Sequence, residues 1–130
     1  MWVLIVQSDQ DLGEVWRRHL QRLKAEVELV ETGSKALLQL QSRTYDVIVL
    51  DLVLQEGSAL TVADFAQFNQ PRANIVFVTD TTFFSDGSIF SLSASARAFM
   101  ETKTPPSDLA AIVHHYGQSS GERHGASFVN

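Results

Sequence analysis

Residues 45–57 read Tyr-Asp-Val-Ile-Val-Leu-Asp-Leu-Val-Leu-Gln-Glu-Gly and contain a short apolar run, Val47 to Leu50, that stops at an acid. The run is rich in β-branched residues, which is typical of a strand covered on both faces. It ends at Asp51, and Gly57 then marks a loop. A carboxylate after a buried parallel strand lies at the edge where open α/β sheets build their sites. Asp51 is therefore either a site residue or a cap for the following turn.

The composition limits the class of protein. The chain has 130 residues, 45% of them hydrophobic, which is enough for one packed domain. It has no cysteine, so disulfides, thiolate metal sites and thiol nucleophiles are excluded. The net charge is −5 and there is no basic block, which argues against nucleic-acid binding. The apolar residues 1–6 are too few for a signal peptide or membrane span, so we expect a soluble, cytoplasmic protein.

Apolar runs and helical patterns alternate along the chain. The other predicted strands are Trp2–Val6, Val27–Val30, Ile75–Val78 and Ala96–Met100. The predicted helices begin at Ser8 or Asp9, near Thr32 to Ser34, near Ser58, within the serine-rich residues 81–95 and at Ser107. This alternation predicts a parallel sheet with right-handed crossovers and helices on both faces. The polar residues 117–130 are expected to form a flexible tail, which leaves residues 1–116 as the domain.

Polar residues follow the predicted strands at one edge of this sheet. They are Gln7, Ser8, Asp51, Thr79 and Lys103. Because the carboxyl ends of parallel strands share an edge, we expect these residues to converge there.

The sequence contains no motif of an independent enzyme. The four histidines, at positions 19, 114, 115 and 124, show no spacing of metal ligands. Residues 7–11 lack the glycines of a flavin phosphate loop, and no Walker loop or Gly-x-Ser-x-Gly elbow is present. We therefore expect a protein that is not an enzyme.

The chain resembles a receiver domain, the phospho-accepting module of two-component response regulators. The resemblance covers residues 2–116 and is carried by Asp51 after its strand, Thr79 after Val76-Phe-Val, and Lys103 ahead of Pro105. It implies a flavodoxin-like, doubly wound, five-stranded fold with strand order 2-1-3-4-5. It also implies that Asp51 accepts a phosphoryl group from a histidine kinase or phosphotransfer protein, and that Thr79 and Lys103 contact that group.

The metal position departs from the receiver pattern. Gln7 and Ser8 stand where the family has two adjacent acids that hold Mg²⁺. Since Mg²⁺ usually requires one or two carboxylates besides phosphate, Asp51 is left as the main anionic ligand. Asp9 lies one position further and is expected to point along the start of the helix, so it is only a weak candidate ligand beside Asp51. The resemblance thus implies Mg²⁺ as a cofactor, whereas these residues argue against it.

Three other positions also depart from the pattern. Gln55 replaces a proline that is common after the acceptor loop, and Thr104 separates Lys103 from its proline. Asp80 replaces a small residue that leaves the phosphorylation site open. Asp80 either pairs with Lys103 or with a cation near Asp51, or it is a solvated loop residue.

The resemblance also implies a switch and partner surface near the end of the chain. The aromatic switch position is Met100 by strict counting, or Phe99 if the loop is shifted by one residue. Phe83 and Phe84 are the candidate anchors for a partner protein, and burial in the core is the alternative for either of them.

Two functional hypotheses follow from the resemblance. In the first, the protein is a single-domain, receiver-like signalling protein of a phosphorelay that acts by protein–protein contact, with Asp51 as candidate phosphoacceptor and a degenerate Mg²⁺ site. In the second, it is a conventional Mg²⁺-dependent response regulator that a histidine kinase phosphorylates on Asp51. Both imply a downstream protein target and neither implies a nucleic acid or a membrane. The sequence leaves the oligomeric state open.

Overall fold

The computed structural model describes residues 1–80 and 96–129, and the side chains of residues 1–80 and 97–118. Its strands are β1 (Trp2–Val6), β2 (Glu26–Val30), β3 (Val47–Asp51), β4 (Asn74–Thr79) and β5 (Ala96–Glu101). The helices of the described residues are α1 (Gln10–Arg22), α2 (Gly33–Ser42), α3 (Ala59–Asn69) and α4 (Pro106–Val129). The helix predicted within residues 81–95 lies outside the described residues.

The strands form one parallel sheet in the order β2-β1-β3-β4-β5, so the predicted fold class and strand order are confirmed. The register pairs Val6 with Leu50 and Asp51 with Val78. The backbone hydrogen bonds between β3 and β4 continue past the end of β3, where Leu52 N donates to Val78 O at 2.9 Å. The carboxyl ends of the three central strands, β1, β3 and β4, therefore meet at one edge.

Helices cover both faces of the sheet, each over its own apolar core. On one face α2 and α3 bury small and branched side chains such as Ala36, Leu40 and Val62 against Leu50 and Phe77. The opposite face carries α1 and α4, with the following residues in its core: Val3, Ile5, Trp16, Leu20, Val49, Val78, Leu109 and Val113. Because the central strands are buried on both faces, they lack the alternation of polar and apolar residues that a half-exposed strand shows.

Side-chain caps fix where the helices begin. Asp9 is the N-cap of α1 and accepts a hydrogen bond from Leu12 N, so of the two predicted caps the structure uses the aspartate. Thr32 and Ser58 cap α2 and α3 in the same way. Each cap satisfies a backbone N–H that the first helical turn leaves unpaired.

Two predicted details of the helices are wrong. The helical spacing of Leu23 with Trp16 and Leu20, and of Leu60 with Ala63, predicts core positions for both leucines, but they are 40% and 38% exposed. The last helix was expected to end near Tyr116, but α4 continues to Val129. At Gly117 the helix packs closely on Met1, because a Cβ at that position would lie 1.9 Å from Met1 Sδ. The flexibility of residues 117–130 stays a prediction.

Among the described residues, none of the helices combines the length and the apolar character that crossing a bilayer requires.

Candidate functional site

A pocket of about 270 Å³ opens at the carboxyl edge of the sheet. Its lining comes from the ends of β1, β3, β4 and β5 and from the loops that follow them. The lining residues are Gln7, Ser8, Asp9, Leu12, Asp51, Val53, Gln55, Asp80 and Thr102. The structure thus brings together most of the polar residues that the sequence placed at this edge.

Asp51 is the last residue of the middle strand, β3, and its side chain is half-buried. Two hydrogen bonds hold its carboxylate. Val53 N donates to Oδ1 at 2.9 Å, and Gln7 Nε2 donates to Oδ2 at 2.8 Å. Each carboxylate oxygen therefore has one protein donor, and the group is fixed in orientation.

The surroundings of Asp51 disfavour its charge. Burial raises the pKa of the Asp51 carboxyl above its usual range, and the hydrogen bonds from Val53 and Gln7 oppose that rise. The negative charges of Asp80 and Asp9 also raise this pKa. The pocket is therefore lined by three carboxylates, and repulsion from the other two disfavours the charged form of Asp51.

Gln7 follows β1 and is only 3% exposed. Its carboxamide forms a bridge, because Nε2 donates to Asp51 while Oε1 accepts from Asp9 N at 3.0 Å. The backbone N–H of Gln7 donates to Val30 O at 3.0 Å, which continues the β1–β2 ladder. Both ends of this buried amide are satisfied, as burial of a polar group requires.

Ser8 connects two loops across the pocket. Its hydroxyl donates to Glu31 O at 3.0 Å and accepts a hydrogen bond from Gln55 N at 3.0 Å. The loop that follows β3 is thereby held against the end of β1.

The far end of the same loop is also fixed, by close backbone packing. Gly57 has a φ of 91°, and a Cβ there would lie 2.9 Å from the Cα of Gly33. Gly33 N also donates to Glu56 O at 2.9 Å. A side chain at position 57 would be strained and would push the loop away from α2.

Thr79 and Lys103 do not line the pocket. Thr79 is 6% exposed, and its carbonyl accepts from Thr102 N at 2.9 Å. Lys103 is 86% exposed and forms an ion pair with Glu101 at 3.3 Å. Among residues 1–80 and 96–129, the ion pairs do not join Lys103 to Asp51 or Asp80. The cause is the nearness of Glu101, two residues before the lysine. The structure thus shows no pairing of Asp80 with Lys103, one of the alternatives for Asp80, and the role of Asp80 stays a prediction.

The two candidate switch residues lie on opposite faces of β5. Phe99 is half-buried and stacks on Phe77, with ring centroids 5.1 Å apart. Met100 is 9% exposed and packs in the core beneath α1 and α4. The switch role of either residue stays a prediction. Phe83 and Phe84 lie outside the described residues.

Comparison with protein families gives one match. The model of the response regulator receiver domain matches residues 3–114, which is most of the chain.

The chain belongs to the response regulator receiver domain family.

Solved receiver structures share its fold. A response regulator receiver domain protein (CheY-like) from Methanospirillum hungatei is 21% identical, with a TM-score of 0.84 over 94% of this chain and 97% of that one. Response regulator TrrA from Thermotoga maritima, solved with Mg²⁺–BeF, is 21% identical, with a TM-score of 0.76 over 88% and 97%. NtrX from Brucella abortus is 17% identical, with a TM-score of 0.86 over 99% of this chain and 29% of that one. Comparison with curated protein sequences gives no match.

The donor set of this receiver domain does not fit a Mg²⁺ site. Mg²⁺ requires oxygen ligands in near-octahedral geometry. Here an N–H group of Gln7 points at Asp51 Oδ2, and the oxygen of that amide already accepts from Asp9 N. Asp9 Oδ1 caps α1. In the part of the chain that the structure describes, no three histidine or acidic side chains are grouped so as to hold a metal ion.

Sequence reasoning missed the positive roles of Gln7, Ser8 and Gln55. It marked each as a departure from the receiver pattern, but it did not show that they hydrogen-bond at the site. The one available signal was that all three departures fall in loops that the predicted topology brings to the same edge.

Proposed function

We propose that this receiver domain is a signalling protein of a cytoplasmic phosphorelay that acts by protein–protein contact, with Asp51 as phosphoacceptor and a degenerate Mg²⁺ site. One observation carries the proposal. Asp51 is half-buried at the end of the middle strand and lines an open pocket, so a phosphodonor can reach it. A carboxylate in that position is a competent nucleophile for phosphoryl transfer. Receiver domains as a class serve signalling, which agrees with a role other than that of an independent enzyme.

The proposed step forms an acyl phosphate. An oxygen of Asp51 bonds to phosphorus while the bond between phosphorus and the histidine nitrogen of the donor breaks. The imidazole leaves with the electron pair of that bond. The added negative charge on Asp51 requires a cation, and Lys103 is proposed to supply it. Because the Lys103 side chain is 86% exposed, it is free to turn from Glu101 toward the phosphoryl group.

A second candidate is the conventional Mg²⁺-dependent response regulator. What favours it is the presence of Asp9 and Asp80 in the pocket with Asp51. Carboxylate oxygens are ligands that Mg²⁺ prefers. This function requires Asp9 to give up its cap of α1 and Gln7 to leave Asp51, so it requires rearrangement of residues that are hydrogen-bonded in this structure.

Intact-mass measurement separates the candidates. The protein is incubated with a small-molecule phosphodonor, once with Mg²⁺ and once with a chelator. The proposal expects a phosphoryl adduct in equal yield under both conditions, lost in Asp51→Asn and kept in the matched control Asp9→Asn. An initial rate of adduct formation that rises about tenfold or more with Mg²⁺ supports the conventional regulator, since that corresponds to about 1.4 kcal/mol of transition-state stabilisation. Absence of any adduct rejects Asp51 as acceptor and leaves a binding module that functions without phosphorylation.

A further inference from the structure

Three departures from the receiver pattern meet in one hydrogen-bonded arrangement. Gln7, in place of the first metal acid, donates to Asp51. Ser8, in place of the second, accepts from the backbone N–H of Gln55. A proline at position 55 would have no N–H to donate. Gln55, the third departure, therefore supplies the N–H group whose hydrogen bond Ser8 accepts.

We propose that Gln7, Ser8 and the Gln55 N–H together replace the metal ion as the element that positions Asp51 and the loop after β3. They are positioning residues, since they act through Asp51 and the loop. The inference rests on the proposed function only in treating Asp51 as the reactive group of the site.

The Gln7 amide closes the direction from which a cation would approach Oδ2 of Asp51. A cation that approaches Oδ2 from this direction must displace Nε2, which lies 2.8 Å away. Gln7 is 3% exposed, and both ends of its amide are hydrogen-bonded where it borders the pocket. Its displacement would also break the bond between its Oε1 and Asp9 N at the start of α1. Binding of a divalent ion from this direction therefore requires the loss of two part-buried hydrogen bonds.

Ser8 performs the second task of a metal, which is to tie separate loops together. A metal ligated by residues after β1 and by the loop after β3 would link these segments. Here the Ser8 hydroxyl links the same two segments, and it adds the end of β2 through Glu31 O. Because the hydroxyl both donates and accepts, its rotation is fixed. The loop needs no metal to hold it.

The first test restores the family's acids. In wild type, MgCl₂ at about 10 mM is expected to move the thermal midpoint by no more than about 1 °C, since a ligand that does not bind adds no stability. The double variant Gln7→Glu, Ser8→Asp should melt lower than wild type in chelator and recover by about 3 °C or more in the same MgCl₂. Adding Asp51→Asn to the double variant should abolish the recovery. A wild type that gains as much from Mg²⁺ as the double variant overturns the inference.

The second test needs no metal and a milder change. Ser8→Ala should speed hydrogen exchange of the Gln55 amide by about fivefold or more, because loss of a hydrogen bond worth about 1 kcal/mol corresponds to that factor. Ser42→Ala is the matched control, since that hydroxyl bonds Leu38 O on the exposed side of α2. It should leave the Gln55 exchange rate unchanged. An unchanged rate in Ser8→Ala overturns the inference even if the double variant does not fold.

These tests are independent of phosphoryl transfer. A protein that never forms an adduct but shows both expected responses keeps the positioning role and loses the proposed acceptor function. A protein that forms an adduct at Asp51 only with Mg²⁺, and whose wild-type midpoint responds to Mg²⁺, loses the positioning role and keeps the acceptor.

Discussion

Two glutamines, buried at opposite edges of the sheet, use the same carboxamide in different ways. Gln70 lies at the amino edge and is 9% exposed, whereas Gln7 lies at the carboxyl edge and is 3% exposed. Gln70 bonds three backbone groups: it donates to Leu40 O and Arg43 O, at 2.8 and 2.7 Å, and accepts from Tyr45 N at 2.8 Å. Gln7 bonds one backbone group and one carboxylate.

The contacts around each glutamine extend this difference. At the amino edge Arg43 lies 3.6 Å above the Trp2 ring, and Asp46 accepts from Trp2 N at 2.8 Å. At the carboxyl edge three carboxylates line one pocket, and Lys103 pairs with Glu101 and does not line it. The glutamine at the amino edge therefore joins backbone segments, while the glutamine at the carboxyl edge holds a carboxylate beside an open pocket. Burial of a glutamine alone does not distinguish the two roles, but the identity of its partners does.

Gln70→Leu should have the largest effect on stability. It leaves the carbonyls of Leu40 and Arg43 and the N–H of Tyr45 without partners, and each unpaired buried group costs about 1 kcal/mol or more. We expect a loss of about 3 kcal/mol in the free energy of unfolding, measured by urea denaturation. The control is Gln41→Leu on the exposed side of α2, which should be nearly neutral. If Gln70→Leu lost less free energy of unfolding than Gln7→Leu, the assignment of the stabilising role to Gln70 would be contradicted.

Gln7→Leu should cost less stability but change the site more. Asp51 and the Asp9 N–H each lose a partner, yet both lie beside an open pocket where water can replace it, so we expect a loss of about 1 kcal/mol. The pKa of Asp51 should rise further, because the amide hydrogen bond lowers it. Carboxyl ¹³C NMR titration measures that pKa. Gln21→Leu, at an exposed position of α1, should leave it unchanged, and an unchanged pKa in Gln7→Leu would contradict the bridge.

Tyr45→Phe, at the amino edge, should change how the free energy of unfolding depends on alkaline pH. The Tyr45 hydroxyl donates to Gln39 Oε1 at 2.8 Å, so the substitution should cost about 1 kcal/mol at neutral pH. Burial raises the pKa of Tyr45 from 10.0 to about 12. Since the unfolded chain releases this proton first, the wild type should lose stability as the pH rises from 10 to 12. Denaturation at several alkaline pH values should show a shallower loss in Tyr45→Phe. Equal slopes would show that Tyr45 is not responsible.

Asp80→Asn should give the smallest effect. Burial raises the pKa of Asp51 above 3.8, so the native state holds more protons than the unfolded state in the interval above that value. Stability therefore falls as the pH rises through this interval. Removing the Asp80 charge lowers the pKa of Asp51 and weakens that fall, by a few tenths of a kcal/mol at most because Asp80 is exposed. Carboxyl ¹³C NMR titration of Asp51 in Asp80→Asn measures the lowered pKa, and an unchanged pKa would contradict the prediction. Asp64→Asn, exposed on α3, should have no effect.

Local signals in the sequence predicted much of the fold. The strand at Val47 to Leu50, the cap at Ser8 or Asp9 and the helix start near Ser58 depend on neighbouring residues. The structure has the strand, uses Asp9 as the cap and begins α3 after Ser58. The strand order came from the family resemblance and is confirmed. The end of α4 was missed because residues 117–130 are polar and rich in glycine and serine, which have low helix propensity.

The candidate site was predictable in its location but not in its bonding. Residues at strand ends must share an edge, so Asp51, Gln7 and Ser8 were expected together. The bond from Gln7 to Asp51 spans 44 positions and depends on the rotamer of a buried amide, which no local pattern fixes. The Lys103 side chain is long and exposed, so its partner depends on which acid is nearest in space.

Paramagnetic NMR with Mn²⁺ tests the central claim most directly, because Mn²⁺ prefers the same oxygen ligands as Mg²⁺ and broadens signals near its site. If Gln7 takes the place of the metal at Asp51, the backbone amides of Val53 and Gln55 and the side-chain amide of Gln7 keep their intensities in wild type. In Gln7→Glu, Ser8→Asp the two backbone amides should broaden. Selective broadening of these signals in the wild-type protein would contradict the account.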